Sequence, residues 1–394
     1  MKRTVAHFIR KSTQLRASFI QNQIISHIVY DPVVISKYDS QKADGGFARF
    51  ESSQFQMLSL WNDQDVQAKL LYEGFKLITS KDVKRIQEFL LDREVDLLHF
   101  HYGSDAGVYY PFLRSTKIPS VVSFYGYDCS GFPRRFMGYG KRYLNKRVFP
   151  YVDKVLAMSP DMKKDLIAAG CPEDKITVHY YGTDVQKFNI YQQYDHNRSQ
   201  VRFLLIAGLE PQKGPSFLLK SFKQAYHINP NIRLDIVGDG RLRDEILEFI
   251  HANDMGGYVH YHGPTIYASA EHINFLRDAD VFIHPSVTDT NGDKEGIPGA
   301  IVEAMAAGLP VISTYHAGIP YIINHKETGL LVNEWDIQRL VEGILQLATD
   351  SYLRAQIGKA GQQYAMKHLD LRKNEINLEH IYNGLLLKAG NKIL

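Results

Sequence analysis

The feature that most constrains the fold is a repeated alternation of short β-branched runs with longer segments of helical character, which is typical of parallel sheets covered by helices. Six strands are predicted in the first half, at Thr4–Ile9, Ile28–Ile35, Asp96–Phe100, Ser120–Phe124, Lys154–Met158 and Ile176–His179. Five more follow at Val201–Ala207, Ile232–Val237, Tyr258–Tyr261, Val281–His284 and Pro310–Ser313. The polar segment Asn189–Gln200 separates the two series. We therefore expect two domains, residues 1–190 and 200–370, followed by a helix at about 371–394.

Bulk composition narrows the class of protein. The chain has 394 residues, which is enough for two domains of ordinary size. Its two cysteines, Cys129 and Cys171, form neither a disulfide framework nor a zinc motif. The apolar run Val5–Ile9 is too short for a signal peptide, and no stretch approaches the length of a transmembrane helix. These features predict a cytoplasmic protein, either soluble or peripheral to the membrane.

Charge is unevenly distributed along the chain. Residues 1–150 hold 22 Lys and Arg against 14 Asp and Glu, although the net charge of the whole chain is only +3. A basic first half predicts contact with something anionic, but no nucleic-acid motif accompanies it, so nucleic acid is not expected. The basic and aromatic segment Arg134–Arg147 suits anionic lipid head groups at a membrane surface. A helix with inward aromatic rings and solvated cations explains the same pattern equally well.

The stretch from Asp293 to Pro320, DKEGIPGAIVEAMAAGLPVISTYHAGIP, holds two glutamates eight positions apart, Glu295 and Glu303. Pro298 suits the first turn of a helix, so Glu295 is predicted in a glycine-rich loop before a helix of about three turns, and Glu303 is predicted to point outward. Such a helix N-terminus attracts an anion such as a diphosphate, and carboxylates accept hydrogen bonds from sugar hydroxyls. The alternative is an amphipathic helix whose two glutamates are simply solvated.

The longer segment from His284 to Pro320 resembles the donor-site signature of the family-4 retaining glycosyltransferases, which carry a Glu-x7-Glu motif. It is most similar to the bacterial branch that builds exopolysaccharide, capsule and O-antigen, such as the colanic-acid glycosyltransferases. The resemblance implies the GT-B fold, an α/β architecture of two Rossmann-like domains facing each other across a cleft. Acceptor is then expected on the first domain and nucleotide sugar on the second, with the C-terminal helix packed back on the first.

The implied reaction transfers a hexosyl group from a nucleotide-diphosphate sugar with retention of configuration, without a required metal or other cofactor. The leaving diphosphate is expected to accept the proton of the incoming hydroxyl. The family pattern Gly-Arg-Leu-x-x-x-Lys-Gly, aligned on Lys213 and Gly214, places Gly208 where relatives have the arginine. Lys213 is then the expected phosphate-neutralising cation. The implied donor-binding residues are Gly208, Lys213, Ile266, Glu295, Gly296, Ile297, Pro298, Gly299 and Glu303, with Glu295 on the sugar and Glu303 on the ribose.

Further residues are implied on the acceptor side. Relatives carry a histidine that contacts the transferred sugar where this chain has Tyr125, so Tyr125 joins Glu295 and Lys213 as an expected catalytic group. The acceptor side is expected to include Arg10, His99, His101 and Asp128. A metal site at His99 and His101 needs a third ligand, and only Asp105 is nearby, so no metal is expected. The expected acceptor is a saccharide, commonly linked to polyprenyl diphosphate at the inner face of the plasma membrane.

Two alternatives stay open. A nucleotide-sugar hydrolase or epimerase of the same fold predicts turnover with no second sugar present. A catalytically silent nucleotide-sugar-binding subunit is motivated by Gly208 and Tyr125, which replace an arginine and a histidine of the family. It predicts nucleotide binding without sugar release.

Overall fold

The computed structural model describes residues 2–38, 56–61, 66–190 and 199–390. The chain divides into two compact units, one formed by residues 1–182 with 371–394 and the other by residues 183–370. The boundary between them follows Gly182, whereas the sequence-based division ends the first domain at residue 190. Most of the predicted linker, Asn189–Gln200, lies outside the described residues.

The first unit is built on a seven-stranded sheet in which every neighbouring pair is parallel. Its strands are β1 (Arg3–Lys11), β2 (Tyr30–Tyr38), β3 (Gln56–Ser59), β4 (Val95–His101), β5 (Ser120–Ser123), β6 (Lys154–Ala157) and β7 (Ile176–Val178), in the order β3-β2-β1-β4-β5-β6-β7. The connecting helices are α1 (Ser18–Ile25), α2 (Val66–Phe75), α3 (Ser80–Asp92), α4 (Gly103–Ala106), α5 (Tyr110–Leu113), α6 (Gly131–Arg147) and α7 (Pro160–Ala168).

The second unit repeats the same construction with six parallel strands. They are β8 (Val201–Ile206), β9 (Ile232–Val237), β10 (Val259–Gly263), β11 (Val281–Ile283), β12 (Val311–Thr314) and β13 (Leu330–Val332), in the order β10-β9-β8-β11-β12-β13. The helices are α8 (Pro215–Ile228), α9 (Arg243–Ala252), α10 (Ala270–Asp278), α11 (Gly299–Ala306), α12 (Ile337–Thr349) and α13 (Ser351–His368). Two Rossmann-like units confirm the predicted fold class.

The last helix, α14 (Leu371–Gly390), belongs to the first unit although it follows the second in sequence. Leu378 and Tyr382 of α14 are fully buried and join the core that includes Val5 of β1. The carboxylate of Glu379 accepts backbone hydrogen bonds from the N–H groups of Ile28 and Val29, at 2.7 and 2.9 Å. Among the described helices, none is both long enough and apolar enough to cross a bilayer.

Every predicted strand is present, with ends that differ by up to three residues. Two strands were not predicted. β3 lies at the sheet edge and is half exposed, so its sequence lacks the apolar run of a buried strand. β13 has only three residues, Leu330–Val332, too few to show a periodic pattern.

Candidate functional site

The candidate site is a cavity of about 290 Å³ in the second unit, at the carboxyl ends of β8 and β9. Its walls include Gly208, Lys213, Gly238, Gly299 and Glu303. Ligands of parallel α/β sheets bind beyond the carboxyl ends of the strands, because the loops that follow them converge there. The cavity therefore collects several of the residues that the sequence singled out for the donor.

Two glycines allow the loops around this cavity to approach closely. Gly238 has a φ of 136°, and a Cβ atom there would lie 1.8 Å from the carbonyl oxygen of Ala207. Gly214 has a φ of 67°, and its Cβ would lie 2.0 Å from the carbonyl oxygen of Pro285. Only glycine adopts these conformations at such contacts without strain. The turn that carries Lys213 is thus packed directly on the loop that follows β11.

Lys213 and Glu295 form an ion pair, with Nζ of the lysine 2.8 Å from Oε2 of the glutamate. Lys213 ends the short turn before α8, and Glu295 lies in the loop before α11. Their side chains are 21% and 11% exposed, so water screens the pair only partly. The structure therefore brings the expected phosphate cation against the expected sugar-binding carboxylate.

The helix α11 begins at Gly299, after Pro298 as the capping residue, and ends at Ala306. It is shorter than the predicted three turns. Glu303 was predicted to point outward, and this is wrong, because the residue is only 6% exposed. Its neighbours Ile301, Val302 and Ala304 are all buried, so α11 has no solvated face at this level. The carboxylate of Glu303 instead lies in the cavity wall.

His272 on α10 faces Glu303, with Nε2 3.5 Å from Oε2 of the carboxylate. The backbone N–H of Ala268 donates to Nδ1 of His272 at 3.2 Å, so the ring hydrogen of the neutral imidazole is on Nε2. That Nε2 is buried and has no hydrogen-bond partner among the described residues. Sequence reasoning missed His272, since its contact with Glu303 depends on how two helices pack.

His316 and Glu334 hold the loop that carries Glu295. Neither residue was predicted from the sequence. The backbone N–H of Glu295 donates to Nε2 of His316 at 3.0 Å, and Nδ1 of His316 lies 2.6 Å from Oε1 of Glu334. The carboxylate of Glu334 also accepts a hydrogen bond from the backbone N–H of Thr288 at 2.7 Å. Partial burial raises the pKa of Glu334, but the hydrogen bonds from His316 and Thr288 outweigh it, and the pKa lies below its ordinary value.

His284, at the end of β11, also lines the cavity. Burial lowers its pKa to about 3, and the nearby positive charge of Lys213 acts in the same direction. Its Nδ1 lies 3.0 Å from the hydroxyl oxygen of Ser286. His284 is therefore neutral at physiological pH, so the positive charge at this wall is that of Lys213.

Four further donor-side residues occupy different settings. Gly208 is exposed, and a Cβ atom there would meet only the carbonyl oxygen of Asp239, at 3.9 Å. Gly296 is buried and its carbonyl accepts from the N–H of Gly318 at 3.1 Å, while Ile297 beside it is 5% exposed. Ile266 is 56% exposed and follows Thr265, which lines the cavity. The roles of these residues toward a donor stay predictions.

In the first unit, the ends of β4 and β5 bring His101 and Tyr125 together. Nδ1 of His101 lies 2.7 Å from the hydroxyl oxygen of Tyr125. His99 and His101 are fully buried, and Nε2 of His99 lies 2.7 Å from the hydroxyl oxygen of Ser123. The carboxylate of Asp105 accepts a hydrogen bond from Nε2 of Gln14 at 2.8 Å and lies 3.4 Å from Nε of Arg10. These contacts are with Gln14 and Arg10 and not with the two histidines.

Asp128 fixes the loop that carries Tyr125. Its carboxylate accepts backbone hydrogen bonds from Gly103 at 2.8 Å, Tyr125 at 2.9 Å and Gly126 at 3.2 Å. Burial raises the pKa of Asp128 to about 7, although these hydrogen bonds oppose the shift. Asp128 therefore holds backbone groups in place, and its predicted contact with an acceptor stays a prediction.

Solved structures of known proteins have the same fold. HepE of Anabaena, solved in complex with UDP, aligns over 97% of this chain and 100% of its own with a TM-score of 0.77 at 17% identity. A glycosyltransferase from Rickettsia africae aligns over 98% and 99% with a TM-score of 0.71 at 20% identity. Together with the two parallel-sheet units, these likenesses show the GT-B fold.

Sequence comparison identifies the family. Residues 186–364 match the family model of glycosyl transferases group 1, and residues 52–187 match that of glycosyltransferase family 4. The chain belongs to this glycosyltransferase family, as the resemblance predicted. It is 34% identical over 259 residues to the amylovoran biosynthesis glycosyltransferase AmsK of Erwinia amylovora, covering 65% of this chain and 61% of that protein. It is 30% identical over 290 residues to the colanic acid biosynthesis glycosyltransferase WcaL (putative) of Salmonella typhimurium, covering 72% and 68%.

Proposed function

We propose that this chain transfers a hexosyl group, with retention of configuration, from a nucleotide-diphosphate sugar to a saccharide acceptor in the synthesis of a bacterial surface polysaccharide. The observation that carries the proposal is the cavity that joins Lys213, Glu303 and the N-terminus of α11, with Glu295 paired to the lysine. The relatives named for amylovoran and colanic acid biosynthesis support this class of product.

The donor site provides one group for each part of a nucleotide sugar. Lys213 and the N–H groups at the start of α11 suit the diphosphate, because the first N–H groups of a helix lack partners within it. Glu303, with the Nε2–H of His272 beside it, suits the ribose hydroxyls. Glu295 suits the sugar hydroxyls. The complexes of HepE with UDP and with UDP-glucose support a nucleotide sugar as the donor.

When a donor binds, the ion pair between Lys213 and Glu295 breaks. Lys213 then contacts the diphosphate, and the carboxylate of Glu295 accepts a hydrogen bond from a sugar hydroxyl. During transfer the leaving diphosphate gains negative charge, which a fixed cation and fixed N–H groups stabilise more strongly than they stabilise the bound donor. The leaving diphosphate accepts the proton of the acceptor hydroxyl, and no metal or other cofactor is required.

The acceptor is a saccharide linked to polyprenyl diphosphate, reached from the cytoplasm at the inner face of the plasma membrane. The helix α6 supports this part of the proposal because it exposes five cations, Arg134, Arg135, Lys141, Arg142 and Lys146. Met137 is fully exposed beside them and Tyr139 is 50% exposed, whereas Tyr143 is buried. Exposed cations next to exposed apolar groups suit anionic lipid head groups.

A thermal-shift screen against UDP, GDP, ADP and dTDP tests the donor site first. A nucleotide at about one hundred times its dissociation constant adds about 2.7 kcal/mol of stability, which is readily measured. We expect one nucleotide to stabilise the protein and Glu303→Ala to remove that effect. Stabilisation by none of them at millimolar concentration would contradict the proposal and would also count against the silent nucleotide-sugar-binding subunit.

A transfer assay with the stabilising nucleotide's sugars then tests the reaction. We expect sugar release that depends on an added lipid-linked saccharide, with the anomeric configuration retained in the product. Equal release without acceptor would indicate a hydrolase. Nucleotide binding without release under any acceptor would indicate a catalytically silent subunit.

A further inference from the structure

A row of five side chains, four of them buried and the fifth the partly buried Tyr125, runs through the first unit from Tyr125 to α14. The hydroxyl oxygen of Tyr125 lies 2.7 Å from Nδ1 of His101, and Nε2 of His101 lies 3.0 Å from Nδ1 of His7. Nε2 of His7 lies 2.8 Å from Nε2 of His27, whose Nδ1 lies 2.5 Å from Oε1 of Glu375. Nδ1 of His27 and Oε1 of Glu375 are buried, and apart from this close ionic contact neither atom has a hydrogen-bond partner among the described residues. The row therefore ends at that contact.

The three imidazoles in this row are shielded from water. His7 and His101 are fully buried, and the side chains of His27 and Glu375 are each 1% exposed. Burial and the neighbouring histidines lower the pKa of His7 well below its ordinary value, and burial with His27 lowers that of His101 to about 3. A neutral imidazole carries one hydrogen, so it donates through one nitrogen and accepts through the other. The orientation of one hydrogen bond in the row therefore fixes the next.

An ionised Glu375 sets one direction for the row. The carboxylate can only accept, so His27 donates to it from Nδ1 and accepts at Nε2 from the Nε2–H of His7. His7 then accepts at Nδ1 from the Nε2–H of His101, and His101 accepts at Nδ1 from the hydroxyl of Tyr125. The Tyr125 hydrogen points inward, and its oxygen lone pairs are available to a ligand.

A protonated Glu375 reverses every one of these hydrogen bonds. Its O–H donates to Nδ1 of His27, and each imidazole then donates toward the next until Nδ1–H of His101 donates to the oxygen of Tyr125. The Tyr125 hydrogen is released, and Oε1 of Gln23 lies 3.4 Å away as one acceptor for it. Burial raises the pKa of Glu375, although the contact with His27 opposes the shift. One proton added to Glu375 thus reverses every hydrogen bond of the row.

We propose that the row Glu375–His27–His7–His101 determines whether Tyr125 accepts a hydrogen bond from a sugar hydroxyl or donates one to it. In this proposal Tyr125 contacts the sugar, and the residues of the row act as positioning residues that set the direction of its hydrogen bond from α14. The part of the proposal that concerns the sugar rests on the proposed function. The reversal of the row depends only on the contacts given above.

The groups packed around the row have partners of their own. His99 contacts the hydroxyls of Tyr382 and Ser123, at 2.5 and 2.7 Å. Glu379, 3.8 Å from Nδ1 of His27, accepts from two backbone N–H groups. Among the residues that the structure describes, the other titratable groups near the row are Tyr30, Tyr102, Asp128 and His179. Both ring nitrogens of His7, His99 and His101 thus have partners within the protein.

Nitrogen-15 NMR of histidine-labelled full-length protein tests the row directly, because Nδ1–H and Nε2–H tautomers have different chemical shifts. As the pH rises through the raised pKa of Glu375, His7 and His101 should both change from Nδ1–H to Nε2–H at one common midpoint. Unchanged tautomers, or a change in one ring without the other, would overturn the proposal. A stoichiometric metal ion in the purified protein would also overturn it, since a metal occupies imidazole lone pairs.

Two variants, Glu375→Gln and Tyr125→Phe, distinguish an effect of the row from a general change in structure. Glu375→Gln should abolish the shared tautomer change, whereas Glu88→Gln, on an exposed side chain of α3, should leave it in place. Tyr125→Phe should keep the tautomer change but remove the pH dependence of the KM of the substrate that Tyr125 contacts, raising that KM about three- to tenfold. A pH dependence of KM that survives in Tyr125→Phe would contradict the assignment of Tyr125. Tautomer reversal without any sugar transfer would uphold the row and count against the proposed function alone.

Discussion

Lys213 and Glu295 are 82 positions apart in the chain, yet the ammonium group of one lies 2.8 Å from the carboxylate of the other. In the proposed function, Lys213 binds phosphate and Glu295 binds sugar hydroxyls. Their pairing keeps both charges compensated in a partly buried site without ligand. The proposed donor must therefore compete with this ion pair when it binds.

Replacement of Lys213 by alanine should lower kcat/KM for the donor by about a hundred- to a thousandfold, because a fixed charge facing the leaving group is lost. Lys213→Arg should recover part of the activity. The control is Lys220→Ala, since Lys220 is exposed on α8. Steady-state kinetics of the three variants check this, and equal losses at both lysines would contradict it.

Introduction of the missing arginine should strengthen donor binding. A side chain at Gly208 has room, because its Cβ would meet only one atom, at 3.9 Å. Gly208→Arg should therefore lower the dissociation constant of the stabilising nucleotide about tenfold through a charged hydrogen bond to phosphate. Titration calorimetry measures the change, with Gly208→Ala as the control for the added Cβ. Unchanged affinity in a folded Gly208→Arg would show that the diphosphate lies elsewhere.

Neutralisation of Glu303 should weaken nucleotide binding without unfolding the protein. Glu303→Gln keeps the shape of the side chain but loses charged hydrogen bonds to ribose hydroxyls, which costs about tenfold in affinity or more. Glu327→Gln, on an exposed residue of the same unit, should have no effect. A deoxyribonucleoside diphosphate should show a smaller difference between wild type and Glu303→Gln, and an equal difference would contradict the ribose contact.

Removal of the hydrogen-bond acceptor on His316 should displace the loop that carries Glu295. His316→Phe leaves the backbone N–H of Glu295 without its partner, at a cost of about 1–3 kcal/mol. We expect kcat/KM to fall about five- to a hundredfold, and His316→Gln, which keeps an acceptor, should restore part of it. If phenylalanine and glutamine behave alike, the hydrogen bond to Glu295 is not what His316 provides.

Buried histidines should make the protein sensitive to acid. Burial lowers the pKa of His101 and His284 to about 3 and that of His179 to about 4. The unfolded chain therefore takes up protons first, so the stability from each histidine is fully present above about pH 6.5 and is lost as the pH falls through the folded-state pKa, by about 1.4 kcal/mol per pH unit. Urea unfolding between about pH 7 and pH 5 measures this.

The variant His284→Asn should reduce the pH dependence of the unfolding free energy by the contribution of one histidine. His368→Asn, at an exposed residue of α13, is the matched control and should keep the full slope. Stability that does not fall with acid, or an equal effect of both variants, would show that these imidazoles are not neutral in the folded protein.

The features that were predicted correctly from the sequence are those encoded in local patterns of residues. The β-branched runs predicted the parallel strands, and the family resemblance predicted that Lys213, Glu295 and Glu303 serve one donor site. Lys213 and Glu303 line one cavity, and Glu295 is paired with Lys213. The predicted outward orientation of Glu303 was wrong because the residues around it on α11 are buried. The sequence of the helix therefore shows no contrast between a polar and an apolar face.

The supporting residues depend on distant packing and have no local signature. His316 stands 21 positions from Glu295, and Glu334 is 18 further on, with no pattern that links them. His27 and Glu375 come together only because the last helix returns to the first sheet. Such contacts are fixed by tertiary structure, which a single sequence read locally does not contain.

That return of α14 has a consequence for how the protein is made. The first 182 residues leave the ribosome without Leu378 and Tyr382, which complete the core around β1, and without Glu379, which holds the N–H groups of Ile28 and Val29. Domains generally fold as units during synthesis. Here the second unit can fold before α14 has been translated, whereas the first unit cannot complete its core until then. A chain cut short before Leu371 would therefore expose an open core in the half that was synthesised earliest.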